Sequence, residues 1–154
     1  MRRRRKTPGP LILILLGAVL TLGYCTVTTF GANSPKEVVE QFYRYEQNGD
    51  FGNAWELFHS EMKKRFDKSD YIQTKNHVFL GHMAVSTFDV KVGDTNKINR
   101  WTFFNGGPVF EDVHEVDVTL TFESQFGIFE MHQKAYAVKE DGAWRVLWNY
   151  DFEG

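Results

Sequence analysis

The chain has 154 residues, 42% of them hydrophobic and 16% aromatic, with a formal net charge of −2. Five of its basic residues, Arg2 to Lys6, sit at the extreme N-terminus, so the rest carries 13 Lys and Arg against 20 Asp and Glu; that acidic balance, with no basic stripe, excludes nucleic acid as a partner. The only cysteine, Cys25, excludes a disulfide framework and, beyond residue 30, zinc–thiolate or cysteine-nucleophile chemistry.

Residues 1–10 form a basic N-terminus, which the positive-inside rule places in the cytoplasm. From Leu11 to Phe30 no residue is charged. About twenty such residues, rising ~1.5 Å each, match the ~30 Å hydrocarbon core of a bilayer. The segment 11–30 is therefore expected to be a transmembrane helix, a single-pass signal anchor that leaves the following domain outside. Two other readings remain open. Cleavage near Gly31 would give a secreted protein, and Leu22-Gly23-Tyr24-Cys25 resembles a lipobox in which Tyr24 is too bulky. Residues 31–33 make a short tether, and 34–154 form one domain.

The domain opens with helices. Ser34-Pro35-Lys36-Glu37 combines a capping box with proline at the first helical position. Val38, Val39, Phe42 and Tyr45 follow at helical spacing, and Asn48-Gly49-Asp50 ends the run, with Asp50 able to cap the next helix. A second helix is predicted from Phe51 to about Phe66 and a third from Tyr71 to Phe79. The period then changes to two. Ala84 to Val92 reads as a first strand, Gly93-Asp94-Thr95-Asn96 as a turn, and Ile98 to Phe104 as a second strand. A third begins near Val109, with an irregularity near Asp112.

The last forty residues give the strongest signal. Trp144, Val146, Trp148, Tyr150 and Phe152 alternate with polar residues, so they share one face. Asp141-Gly142 is a two-residue hairpin turn. Pairing Glu140 with Ala143 sets Ala137 by Val146, Ala135 by Trp148, Gln133 by Tyr150 and Met131 by Phe152. A turn at Ser124 to Gly127 then sets Phe122 by Phe129, Leu120 by Met131, Val118 by Gln133, Val116 by Ala135 and His114 by Ala137. Small residues face large ones throughout, as a packed surface requires.

Three helices followed by about five antiparallel strands define an α+β layer architecture. The stretches Ser34 to Tyr43 and Gly49 to Phe58 resemble the opening helix pair of the NTF2-like, cone-shaped superfamily, and Trp144 to Trp148 resembles its closing strand. The likeness is closest to the NTF2-like domain that precedes the transpeptidase in some bacterial penicillin-binding proteins. It implies a cone of three helices packed on a curved sheet, a cell-envelope setting, and a homodimer formed through the sheet. It carries over no transpeptidase serine motif.

The register shows which polar groups share the apolar face. His114, Gln133, Trp148 and Tyr150 are the ligand-pocket candidates, because an apolar pocket with few polar groups is the usual form of a ligand site. The expected function is that of a membrane-anchored extracytoplasmic accessory domain without catalysis, binding a protein partner or a small apolar ligand. No cofactor or metal is expected. The alternative is a small-molecule isomerase or dehydratase with His114 as general base. Glu56-Leu57-Phe58-His59 has the Glu-x-x-His spacing of di-iron bundles but lacks the second copy such sites need. His132, opposite Asp151, reads as a cross-strand pair, with Tyr136 and Leu147 nearby as an alternative partner patch. His77 and His82 have no ligand-like spacing.

Overall fold

The computed structural model describes residues 32–149, apart from Met83, Ser86 and the side chain of Leu80. The predicted anchor 11–30, Cys25, Tyr150 and the Met131–Phe152 pairing lie outside the described residues. Among the described residues, no helix is long and apolar enough to cross a membrane.

Helix α1, Pro35–Gln47, starts as the sequence implies: the Ser34 hydroxyl accepts the Glu37 amide at 3.2 Å, and the Glu37 carboxylate reaches back to the Asn33 amide at 2.8 Å. Its end is set by Gly49, whose φ of +68° allows the Asp50 amide to donate to the Tyr45 carbonyl at 2.8 Å. Asp50 then caps helix α2, Phe51–Glu56, by accepting the Asn53 amide.

The single helix expected over Phe51 to Phe66 is two. Between α2 and helix α3, Ser60–Arg65, the chain turns extended and lays Phe58 beside Val146 as a parallel bridge. The His59 amide donates to the Val146 carbonyl at 3.1 Å, and the Val146 amide donates to the Leu57 carbonyl at 2.9 Å. Both Phe58 and Val146 are fully buried. Tertiary pairing outweighs local helical propensity here, because an edge strand left bare would expose unpaired amides and carbonyls. Helix α4, Lys68–Asn76, is capped by Asp67 and runs into a π-helical turn, His77–His82. Among the described residues, the expected three helices are thus four α-helices and one π turn.

Among the described residues, the sheet is a four-stranded antiparallel meander in the order β1–β2–β3–β4: Asp89–Thr102, Val109–Ser124, Gly127–Glu140 and Ala143–Trp148. The expected first two strands are one, and it begins at Asp89, later than the expected start at Ala84. Val92 pairs with Val118 and Thr95 with Val116, so Gly93 and Asp94 together face Asp117. They form a β-bulge in place of a turn. A Cβ at Gly93 would lie 3.3 Å from the Asp117 Cβ, which is why the bulge carries glycine. Every described pair of the predicted register over β2, β3 and β4 is present, from Phe122–Phe129 to Glu140–Ala143.

The inner face of the sheet (Val116, Val118, Leu120, Phe122, Ala135, Ala137, Val146) packs on Val38, Val39, Phe42 and Phe58 from the helices. The outer face is covered in part by the chain itself. Tyr136, Val138 and Leu147 point outward by parity yet are buried. Trp101 stacks on Tyr136 at 4.1 Å and Phe103 and Phe110 pack behind it, while Phe110 meets the His59 ring edge-on at 5.1 Å. The end of the β1–β2 ribbon therefore bends across the outer face, with Asp112 at a left-handed φ of +52°. Tyr136 and Leu147, weighed from sequence as a partner patch, belong to this second layer of core.

Glu140 fastens the helix layer to the sheet edge: it accepts the Ser60 amide at 3.2 Å and lies 3.4 Å from His59 Nε2 and 3.9 Å from Arg145 Nε. Burial alone would raise its pKa, but the Ser60 amide, His59 and Arg145 outweigh burial and hold the carboxyl below its ordinary range. A depressed folded-state pKa contributes stability that is complete above the ordinary carboxylate range and is lost as pH falls through the folded value. Glu140→Ala is expected to destabilise the domain by about 1 kcal/mol at neutral pH, after solvent screening is allowed for. Urea unfolding at pH 7 and in acid checks this, since the gap between variant and wild type closes at the acid end.

Candidate functional site

Val38, Phe42 and Glu46 stand four residues apart on α1, and Val39 and Tyr43 run beside them. That stripe faces the sheet, so helical geometry carries a carboxylate into the core with its apolar neighbours. The Glu46 side chain is 1% exposed. Two residues one turn apart on α4 satisfy it: the Tyr71 hydroxyl donates at 2.5 Å and Lys75 Nζ lies at 2.6 Å. From β3, Gln133 Nε2 donates to the Tyr43 hydroxyl at 2.6 Å.

The electrostatics follow from burial. The Tyr43 and Tyr71 phenols are pushed far above their ordinary pKa, first by desolvation and then by the negative charge of Glu46, so both stay neutral. The Lys75 ammonium sits 5.4 Å from the ring centre of Phe79 and 5.6 Å from those of Tyr71 and Trp148. Aromatic faces and one carboxylate thus replace most of its hydration.

Next to this network is a cleft of about 560 Å³, lined by Phe42, Tyr43, Glu46 and Lys75 from the helices, by His132, Gln133, Lys134 and Tyr136 from β3, and by Trp148 and Asn149. Trp148 is held by Phe58 at 4.8 Å and Phe42 at 6.0 Å, so the apolar wall is rigid. The cleft opens where β4 stops. Pairing between β3 and β4 ends at Ala135–Trp148, so Gly127 to Lys134 has no strand on that side among the described residues.

Two sequence candidates, Gln133 and Trp148, meet in this cleft, and Tyr150 lies outside the described residues. His114 lies elsewhere. It pairs with Lys97 on one side and Ala137 on the other, and its ring packs edge-on to Trp144 at 5.3 Å. Desolvation and then the Lys97 charge hold its pKa below the ordinary histidine value. The nearest carboxylate to Lys97, that of Asp112, is engaged by it at 2.7 Å.

The Glu56-x-x-His59 spacing does not stand on one helix. Glu56 closes α2 and pairs with Lys63 and Lys68, whereas His59 caps α3 and faces Glu140. Among the described residues, no group of three or more His, Cys, Asp or Glu is placed to hold a metal ion. His132 is exposed and meets the Thr119 hydroxyl at 3.0 Å.

Tyr43, Glu46, Tyr71 and Lys75 were not singled out from sequence. The usable signal was Glu46 itself, a charge at the next step of the Val38–Phe42 stripe, where a buried partner is required. Compared with known proteins, the chain matches no family model and no curated protein.

The network makes a stability prediction. Lys75→Met removes the cation from a buried carboxylate and is expected to cost about 2–3 kcal/mol. The double variant Glu46→Leu with Lys75→Met recovers much of that loss, because no charge remains buried. Urea unfolding of the two single variants and the double variant closes the cycle.

Proposed function

We propose that residues 34–154 form a non-catalytic binding domain of the NTF2-like kind, displayed outside the cytoplasm at the cell envelope through the apolar segment 11–30, and that its Tyr43–Trp148 cleft takes a partner segment or a small apolar ligand. One observation carries the reading: the cleft joins a rigid aromatic wall to polar groups that already satisfy one another. Glu46 is committed to Tyr71 and Lys75, and Gln133 to Tyr43. An acid–base site needs a group poised to exchange a proton with a substrate; a binding site needs shape, apolar surface and a few fixed dipoles.

The cleft adjoins residues 127–134 of β3, whose exposed apolar side chains favour a partner segment over a fully enclosed ligand. Ile128, Phe129 and Met131 on that half of β3 are exposed, as is Phe126 in the preceding turn. The His114-centred enzyme reading gains nothing from this arrangement, since His114 is not among the residues that line the cleft.

The fluorescent probe 1-anilinonaphthalene-8-sulfonate tests the cleft directly. One saturable site per chain is expected, with affinity lowered at least tenfold by Gln133→Trp, which fills the cleft, and unaltered by His114→Ala. Loss of binding in His114→Ala, with Gln133→Trp behaving as wild type, would move the site to His114 and reopen the enzyme reading. A circular dichroism spectrum of each variant separates local filling from unfolding.

A further inference from the structure

His77 and His82 lie five residues apart, where an α-helix would turn their side chains about 140° away from each other. The turn they bound is π-helical, with its hydrogen bonds closing over five residues. That wider turn brings both imidazoles to one side. Their Nε2 atoms are 2.9 Å apart, and the rings meet edge to face with centroids 4.4 Å apart. Both side chains are exposed. The glycine between them matters: a Cβ at Gly81 would stand 3.3 Å from His77 Nδ1, in the space the ring uses.

We propose that His77 and His82 form a two-histidine site for a divalent transition-metal ion of the zinc, copper and nickel class. Two nitrogens each ~2.0–2.1 Å from one ion, at tetrahedral or square-planar angles, are about 2.9–3.4 Å apart. The observed 2.9 Å separation falls within that span, so a small rotation of each ring aims both lone pairs at a common point. Without the ion, one ring donates its Nε2–H to the other. On binding, that ring carries its proton on Nδ1 instead, the transfer passing through solvent with no net release, and both Nε2 atoms become ligands. Imidazole donors favour zinc, copper and nickel over magnesium and calcium. Two protein ligands leave the other coordination positions to water or to a donor from a partner.

The site bears on the fold because only the π turn brings the two nitrogens together. Phe79, within that turn, stacks on Phe51 at 5.9 Å, on Phe88 at 5.6 Å and on Phe122 at 5.8 Å. A bound ion therefore clamps the joint between α4 and the sheet in the geometry that seats this stack.

The test uses the full chain in mild detergent, titrated with Zn²⁺ alone against a chromogenic chelator and with Cu²⁺ by electron paramagnetic resonance. Expected are one ion per chain at micromolar concentration and a copper spectrum with two imidazole nitrogens. His77→Ala and His82→Ala each weaken binding at least tenfold, and His114→Ala and His132→Ala leave it unchanged. Both rings of the pair are at the surface, so the variants keep the wild-type circular dichroism spectrum. The proposal is overturned if millimolar ion produces no saturable binding, or if His77→Ala and His82→Ala bind as the wild type does.

Discussion

The bridge between Phe58 and Val146 is the constraint on which the rest of the domain depends. Two backbone hydrogen bonds, from His59 to Val146 and from Val146 to Leu57, turn a helix connector into a cover for the sheet's last strand. They break the helical run into α2 and α3, bury Phe58 under Trp148, and bring Ser60 and His59 within reach of Glu140. Each of these contacts is local to one strand edge. Together they fix where the helix layer sits, and hence where α1 and α4 bring Glu46, Tyr71 and Lys75 together.

The same placement explains the character of the cleft. A carboxylate on the apolar stripe of α1 is tolerated because α4 delivers a hydroxyl and an ammonium to it, and the ammonium is itself lodged among three aromatic rings. Buried charge of this kind contributes little net stability compared with an apolar replacement. Its effect is to define one arrangement of α1 and α4 against β3 and β4, since only one geometry satisfies every group. The aromatic wall of the cleft inherits its rigidity from that arrangement.

Legibility in the sequence followed the range of the forces involved. The pairing of β2, β3 and β4 was readable because a period-two pattern of large and small residues permits a single self-consistent register. The caps at Ser34 and Asp50 were readable because they are chemistry between near neighbours. The division of residues 84–104 into two strands was misread, since Gly93-Asp94-Thr95-Asn96 has turn composition and only its partner Asp117 shows it to be a bulge. The break at Leu57–His59 was invisible for the same reason: its cause, Val146, is far away in the chain. Of the cleft, Gln133 and Trp148 were visible through strand parity. Glu46 and Lys75 were hidden because each reads alone as one more charge on a helix, and their meaning lies in meeting.

The folded-over end of the β1–β2 ribbon has a consequence for how such a domain tolerates change in length. Trp101, Phe103 and Phe110 act as a lid carried on a hinge at Asp112, and the lid's load is the outward row of Tyr136, Val138 and Leu147. Residues beyond the lid, around Asn105 to Gly107, form the loop between β1 and β2. Insertions there change only the loop, whereas a two-residue deletion within the ribbon draws the lid back and wets an apolar strip. The ribbon's length is therefore a determinant of solubility.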